Sequence, residues 1–361
     1  MQQEWRGRQT RDSLPFGVVE MTADKRADRI DAPLVNRREF LKYSSMAGTT
    51  LLFGFKGETA MAGSTHPVSL VSTDDRRKGV KQSIDALKGN PVKGKSVLIK
   101  PNFNTADAVP GSTHNDTLVA LIDKVWEMGA ASISLGERSF PLTGDVMARK
   151  GVLPLLKERD VTVIDFDALS RNDWVKTDAK DSHWQDGFRI ARPVLDAECL
   201  ISTCCLKTHQ YGGVFTLSLK LHVGVVPTQR HGFSYMQELH SSPHQRKMIA
   251  EINAPFSPDL IVMDGIDAFV DGGPMTGKRA KGNVFFAATD RVAIDAVGVA
   301  MLKHLGSNDH IMKPGIFQQE QIARAVDLGL GASGPAEIEI VAADRSSTML
   351  QNKINAILKK G

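Results

Sequence analysis

Ser96-Val97-Leu98-Ile99-Lys100-Pro101-Asn102 is the stretch from which the fold is read. Val97 to Ile99 is a short apolar run without polar alternation, the pattern of a strand buried on both faces. Pro101 holds Lys100 in extended backbone and keeps the following loop tight. Downstream, Asp116–Met128 spaces Leu118, Leu121, Ile122 and Val125 as one helical face and stops at Gly129. Ser132–Leu135 is the next strand. Strand, helix and strand in this order point to a parallel pair joined by a crossover.

The same alternation extends outward in both directions. Val68–Ser72 reads as a strand and Asp75–Leu87 as a helix. Gly151–Lys157 reads as a short helix, Val161–Phe166 as a strand, and Ser170–Asp186 as a polar loop. Cys199–Cys205 is a strand, Gly213–Val225 a helix, and His244–Ala254 a helix stopped by Pro255. Leu260–Met263 and Val284–Ala288 are strands, followed by helices at Arg291–His304 and Ile316–Leu328. Ala336–Val341 and Met349–Lys359 complete the pattern as strand and helix. The expected fold is α/β, a mostly parallel sheet flanked by helices, with a helical or loop insertion around 211–258.

The chain has 361 residues, 42% hydrophobic and 24% charged, which is ordinary globular composition. Residues 1–62 read as an n-region and signal peptide, and 63–361 as a single α/β domain. Arg37-Arg38 precedes an apolar run from Tyr43 to Phe55, and Ala60-Met61-Ala62 supplies a small-x-small cleavage site. Twin arginine, short apolar run and cleavage site together read as a twin-arginine export signal. Its partner would be the twin-arginine translocase and its destination the periplasm. The apolar run is too short to span a bilayer comfortably, so no stable membrane span is expected after cleavage. Residues 1–62 carry ten Lys+Arg and eight Asp+Glu, about half of the formal net charge of +4. The remainder is near neutral and has no basic stripe interleaved with aromatics, which argues against nucleic acid.

Ligands of open α/β sheets lie beyond the carboxyl ends of the strands. Lys100 and Asn102 stand at such an end, as do Glu137-Arg138-Ser139, Lys207-Thr208-His209, Asp264 and Asp290. Half of the ten histidines fall between Lys207 and His244, beside the Gly212-Gly213 pair and Lys220. Lysine and histidine are costly to bury unpaired, so gathering them beside glycines points to a pocket for an anion or a metal. Gly212 and Gly213 let backbone approach a ligand. If Gly213 opens a helix, its free N–H groups favour an anion. Lys100, Asn102, Gly212, Gly213, Lys220 and Asp290 are therefore the expected cofactor-binding residues. Lys207, His209 and Asp264 are the expected catalytic residues, with His209 as acid/base because its ordinary pKa lies near neutrality. The plainer reading of Asp290 is a cap on the Arg291 helix. A metal, if bound, would take His209, His222 and Asp264.

Two further patterns point away from familiar chemistry. Gly272 to Lys278 has the spacing of a phosphate loop, but Arg279 replaces the hydroxyl that would hold magnesium. A glycine-rich lid is the better reading. The three cysteines, Cys199, Cys204 and Cys205, form neither a disulfide framework nor a Cys-x-x-Cys motif.

Taken in order, several pieces resemble the family called domain of unknown function 362. They are Lys100-Pro101-Asn102, Gly129-Ala130 to Gly136-Glu137, Lys207-Thr208-His209, and Ser218-Leu219-Lys220 with Gly224. Asp264-Gly265-Ile266, Gly272-Gly273-Pro274 and Asp290 to Ala296 follow in the same order. The resemblance runs from about Ser96 to Leu330 and implies the core domain and its pocket, not a reaction. Many members carry an added ferredoxin-like segment with iron–sulfur clusters. This chain lacks the cysteine run, so no cluster is expected.

The functional expectation is an exported protein of unassigned chemistry binding an anionic small molecule or cofactor in a Lys/His/Asp pocket, with a redox enzyme as one form. The alternative is a non-catalytic metal or cofactor carrier serving a periplasmic redox system.

Overall fold

A computed structural model describes residues 65–230 and 232–361. The expected signal at Arg37-Arg38 and its cleavage site lie outside the described residues. From the amino end the elements are β1 (His66–Ser72), α1 (Arg76–Asp85), β2 (Ser96–Lys100), α2 (Asn115–Glu127) and β3 (Ser132–Glu137). Helices α3 (Thr143–Lys150) and α4 (Leu153–Glu158) lead to β4 (Val161–Asp165). Then come β5 (Trp174–Thr177), β6 (Phe188–Ala191), α5 (Arg192–Leu195), β7 (Cys199–His209) and β8 (Val214–Thr216). The next group is α6 (Ser218–Leu221), β9 (Gln229–Arg230), β10 (Phe233–Ser234), α7 (Tyr235–Ser241) and α8 (Gln245–Glu251). The carboxyl-terminal part holds β11 (Leu260–Gly272), β12 (Gly277–Lys281), β13 (Val284–Ala288) and α9 (Arg291–His304). It ends with α10 (Asp309–Met312), α11 (Glu320–Asp327), β14 (Ile338–Ala342) and α12 (Thr348–Lys360).

The main sheet has ten strands, in the order β14-β1-β13-β11-β7-β2-β3-β4, with β12 added to β11 and β8 to β7. Pairing is parallel between β14 and β1, β11 and β7, β7 and β2, β2 and β3, and β3 and β4. β13 runs antiparallel to both of its neighbours. The fold is thus the expected α/β sheet, mostly parallel and flanked by helices. The first strand read, Val97–Ile99, sits between two parallel partners and is buried, as a run without polar alternation requires.

Alternate side chains of β7 feed different cores. Cys199 and Ile201 pack with α1 and α2 residues such as Val80, Leu118 and Leu121. Cys204 and Leu206 pack on the other side with Val292, Ala296 and Ala300 of α9. A third, aromatic core joins Trp174, Trp184, Phe188 and Tyr235 to Leu98 and Leu200. It covers the sheet where the 211–258 insertion returns.

Several elements differ from the sequence reading. β7 continues through Lys207 and His209, and β11 runs on to Gly272, because each acquires an antiparallel partner at its far end. The 213–225 segment is not one helix. Val214–Thr216 pairs with Lys207–His209, and helix is confined to an α-turn at Ser218–Leu221 and the 3-10 turn His222–Val225 that follows it, so Gly213 opens no helix and supplies no helical N-terminus. A β-branched and aromatic triplet is a strand as readily as a helix at that length. The polar stretch 170–186 contains β5, which pairs with β6 as a separate ribbon. Gly151 ends α3 in left-handed backbone at φ 63 and opens no helix. The Gly272–Gly277 segment is the β11–β12 hairpin turn. A Cβ on Gly273 would stand 2.2 Å from Thr208 O, so glycine is required for the hairpin to pack on β7.

Candidate functional site

The carboxyl ends of β2, β3 and β7 converge on a set of buried charges. Lys100 closes β2 and is 1% exposed, and its Nζ lies 2.6 Å from Glu137 Oε1 at the end of β3. It also donates to Pro101 O at 2.8 Å. Glu137 is held in turn by the N–H groups of Phe103 and Arg138, each at 2.9 Å. Burial lowers the Lys100 pKa and raises that of Glu137, while the attraction between them opposes both shifts. The backbone of the segment after α6 presses on this pair. A Cβ on Gly224 would lie 2.6 Å from Glu137 Oε1 and 2.9 Å from Lys100 Nζ.

Lys207 extends from β7 toward the loop after β2. Its Nζ donates to Asn102 Oδ1 at 2.9 Å and to Gly111 O at 2.5 Å. Asn102 thus serves as an acceptor for Lys207, and its N–H is anchored on Thr113 Oγ1. Burial lowers the Lys207 pKa.

Lys220 differs from the other two. It is 7% exposed on the short helix α6. No hydrogen-bond acceptor or carboxylate partners its ammonium among the described residues. Burial, and then the charge of Lys207, bring its pKa down to about 8. Beside it stands His209, 8% exposed, whose Nδ1 is buried without a partner. Burial, then Lys220 and Lys207, push the His209 pKa far below its ordinary value, so the ring is neutral. Gly213 makes this adjacency possible. A Cβ there would stand 2.6 Å from Lys220 Cε and 2.9 Å from His209 Nδ1. The hydroxyl of Thr216, paired across from Lys207, is also buried and unpartnered. Gly212 has φ 74 and turns the β7–β8 hairpin against the Gln245 side chain, whose amide nitrogen lacks a partner. A cavity of about 900 Å³ reaches this cluster at His209, Gly212 and Val214. Its opposite walls come from Arg246, Asn308, Lys313 and Glu320, and none of the three lysines lines it.

Other expected site residues lie elsewhere or are already bound. Asp290 sits at the opposite rim of the sheet, because β13 is antiparallel and its carboxyl end meets the amino ends of its neighbours. There it caps α9 by accepting from the N–H of Val292 and Ala293, and it also binds Ala332 N and His66. Asp264 is fully buried and accepts from Arg76 Nε at 3.0 Å, Thr117 Oγ1 at 2.7 Å and Ile266 N at 3.1 Å. It locks α1 and α2 to β11. His222 is buried between Ser202 Oγ at 2.9 Å and Asn253 Oδ1 at 2.7 Å. Both its ring nitrogens are occupied, and burial, followed by Arg291, lowers its pKa to about 3.

The expected metal set of His209, His222 and Asp264 is therefore not assembled. No group of three His, Cys, Asp or Glu is placed to hold a metal among the described residues. All three cysteines lie on β7, and burial pushes Cys199 up to about 12 and Cys205 up to about 11.

Three contributors escaped the sequence reading. Glu137 was visible as a strand-end acid but not as the partner of Lys100. Asn253 holds His222 and donates to Leu219 O. Asp295, in the second turn of α9, reaches Ser218 N at 2.7 Å and Leu219 N at 3.1 Å. Only Glu137 carried a signal, its place at the end of a strand.

The sequence model described as domain of unknown function (DUF362) matches residues 97–300. A thylakoid-associated protein of Synechocystis sp. is 28% identical over 259 residues, covering 70% of this chain and 77% of that protein. The lactate racemase apoprotein from Thermoanaerobacterium thermosaccharolyticum aligns with TM-score 0.39 and 16% identity, over 62% of this chain and 54% of that one. The chain thus spans about half the length of that solved structure.

Proposed function

We propose that this chain, which belongs to the domain of unknown function 362 family, binds a small molecule through a carboxylate or phosphate group held by Lys220 beside His209. One observation carries the reading. The Lys220 side chain is only 7% exposed, carries the influence of a second lysine, Lys207, and has no acceptor for its ammonium among the described residues. An isolated buried cation is costly unless an anion completes it. Lys100 is neutralised by Glu137, whereas Lys207 is held by neutral oxygens and adds positive potential at Lys220 and His209.

His209 is neutral and its Nδ1 is free to donate to, or accept from, the bound molecule. An anion bound here would raise the His209 pKa and let it take a proton from that molecule. Binding is common to an enzyme and to a carrier; proton transfer by His209 belongs to the enzyme. Export through the twin-arginine translocase is part of the same proposal, supported by Arg37-Arg38, the apolar run after them and Ala60-Met61-Ala62.

The test is calorimetric titration of the folded protein with sulfate, phosphate and small carboxylates, alongside native mass spectrometry for a retained ligand. Wild type binds at least one class, Lys220→Met binds none, and His209→Ala binds more weakly. Absence of any anion binding by wild type, or unchanged affinity in Lys220→Met, would refute the proposal.

A further inference from the structure

The helix that presents Lys220 is only four residues long, Ser218–Leu221. No side chain of its own caps it. It runs on only into the 3-10 turn His222–Val225, and so short a helix is unstable by itself, so something outside must hold it. That support comes from α9. Asp295 is fully buried, and its two oxygens accept from Ser218 N at 2.7 Å and Leu219 N at 3.1 Å. The contact spans 77 positions of sequence. At the other end of the turn, Asn253 Nδ2 donates to Leu219 O at 3.1 Å while its Oδ1 meets His222.

We infer that Asp295 is a positioning residue for the anion site: as a carboxylate it clamps the first turn of α6 and so holds the Lys220 ammonium in place. The inference rests on the reading of Lys220 as the anion-binding group. Asp295 acts through backbone rather than through its charge, since the pKa of Lys220 is set by burial and by Lys207.

The clamp has a pH dependence. Burial, set against the two N–H groups, raises the Asp295 pKa to about 7. The titratable and charged groups that face it are Asp290 and Arg291 from the start of α9 and Cys204 of β7, with Gln321 of α11 alongside. Below neutrality the carboxyl becomes protonated and its charge-assisted bonds to Ser218 and Leu219 weaken. At pH 6 about a tenth of the molecules keep the ionised clamp. Affinity for a non-titrating anion should therefore be several-fold lower there than at pH 7.5. Above pH 8 the loss of the Lys220 proton weakens binding again.

Two measurements test this. The first is hydrogen exchange of the 217–222 segment in ligand-free wild type, corrected for intrinsic rate. Protection should fall from pH 8 to pH 6; a flat profile overturns the assignment whether or not an anion binds. The second compares sulfate affinity of wild type and Asp295→Asn from pH 6 to 9. The variant should bind about tenfold more weakly at pH 7.5 and lose the acid limb while keeping the alkaline one. An unaltered acid limb in Asp295→Asn overturns it. Failure of wild type to bind sulfate at all would instead count against the Lys220 site, leaving the exchange profile to judge Asp295. If Asp295→Asn does not fold, the wild-type exchange profile decides alone.

Discussion

Replacing Glu137 by alanine would separate a structural ion pair from a ligand-binding lysine. In the wild type, Lys100 and Glu137 meet at 2.6 Å and each is 1% exposed. The substitution leaves Lys100 with Pro101 O as its remaining acceptor and deprives Phe103 N and Arg138 N of theirs. Breaking a buried pair by removing one partner costs about 3–5 kcal/mol. Each buried N–H left without an acceptor adds about 1–3 kcal/mol. The total rivals the whole stability of an ordinary domain, about 5–15 kcal/mol. Glu137→Ala should therefore unfold at far lower urea, or fail to accumulate as folded protein. The Glu137→Gln, Lys100→Met double variant removes both charges and keeps an acceptor for one of the two backbone N–H groups, which in the wild type bind different carboxylate oxygens. It should lie within about 2 kcal/mol of wild type. Urea unfolding followed by circular dichroism gives both numbers. A loss under about 1 kcal/mol in Glu137→Ala would refute the claim that Lys100 is committed to Glu137. So would a double variant no more stable than the single one.

Other consequences follow from the same site. Gly213→Ala has no left-handed backbone to strain but must displace Lys220 Cε and His209 Nδ1. Sulfate affinity should drop by about tenfold while thermal stability changes by only about 1 kcal/mol, because flexible side-chain atoms can move aside. Lys220→Met should abolish binding yet raise stability by about 2–3 kcal/mol at neutral pH, measured by urea unfolding. The Lys220 pKa is lowered to about 8 on folding, so the unfolded chain binds the extra proton between there and the ordinary lysine value. Wild-type stability thus rises with pH across that window, and Lys220→Met should remove this slope. His222, lowered to about 3, works in the acid range. Stability is lost as pH falls from the ordinary histidine value toward 3, and His222→Phe should flatten this limb by one proton. It should also cost about 1–3 kcal/mol by orphaning Ser202 and Asn253, as read from unfolding curves between pH 4 and 7.

Much of the scaffold was legible in local sequence. The uninterrupted apolar run Val97–Ile99 identified a strand buried on both faces, and the spacing of Leu118, Leu121, Ile122 and Val125 identified the helix beside it. Arg291–His304 was equally clear, with Asp290 in the cap position. These features depend on periodicity and on interactions within a few residues. The lysines and His209 were also visible, because glycines and buried-type neighbours surround side chains that ordinarily seek water.

Partnership was not legible, since it is set between distant segments. Nothing in the sequence around Asp290 reveals that β13 runs backwards between β1 and β11, which carries its carboxyl end to the far rim. Nor does local pattern tell that Lys100 and Lys207 have acceptors while Lys220 has none among the described residues. That distinction depends on Glu137 closing β3, on the loop bearing Asn102 and Gly111, and on the β7–β8 hairpin. Periodicity along a chain determines which residues are buried; only strand direction and the meeting of remote segments decide which buried charges are neutralised.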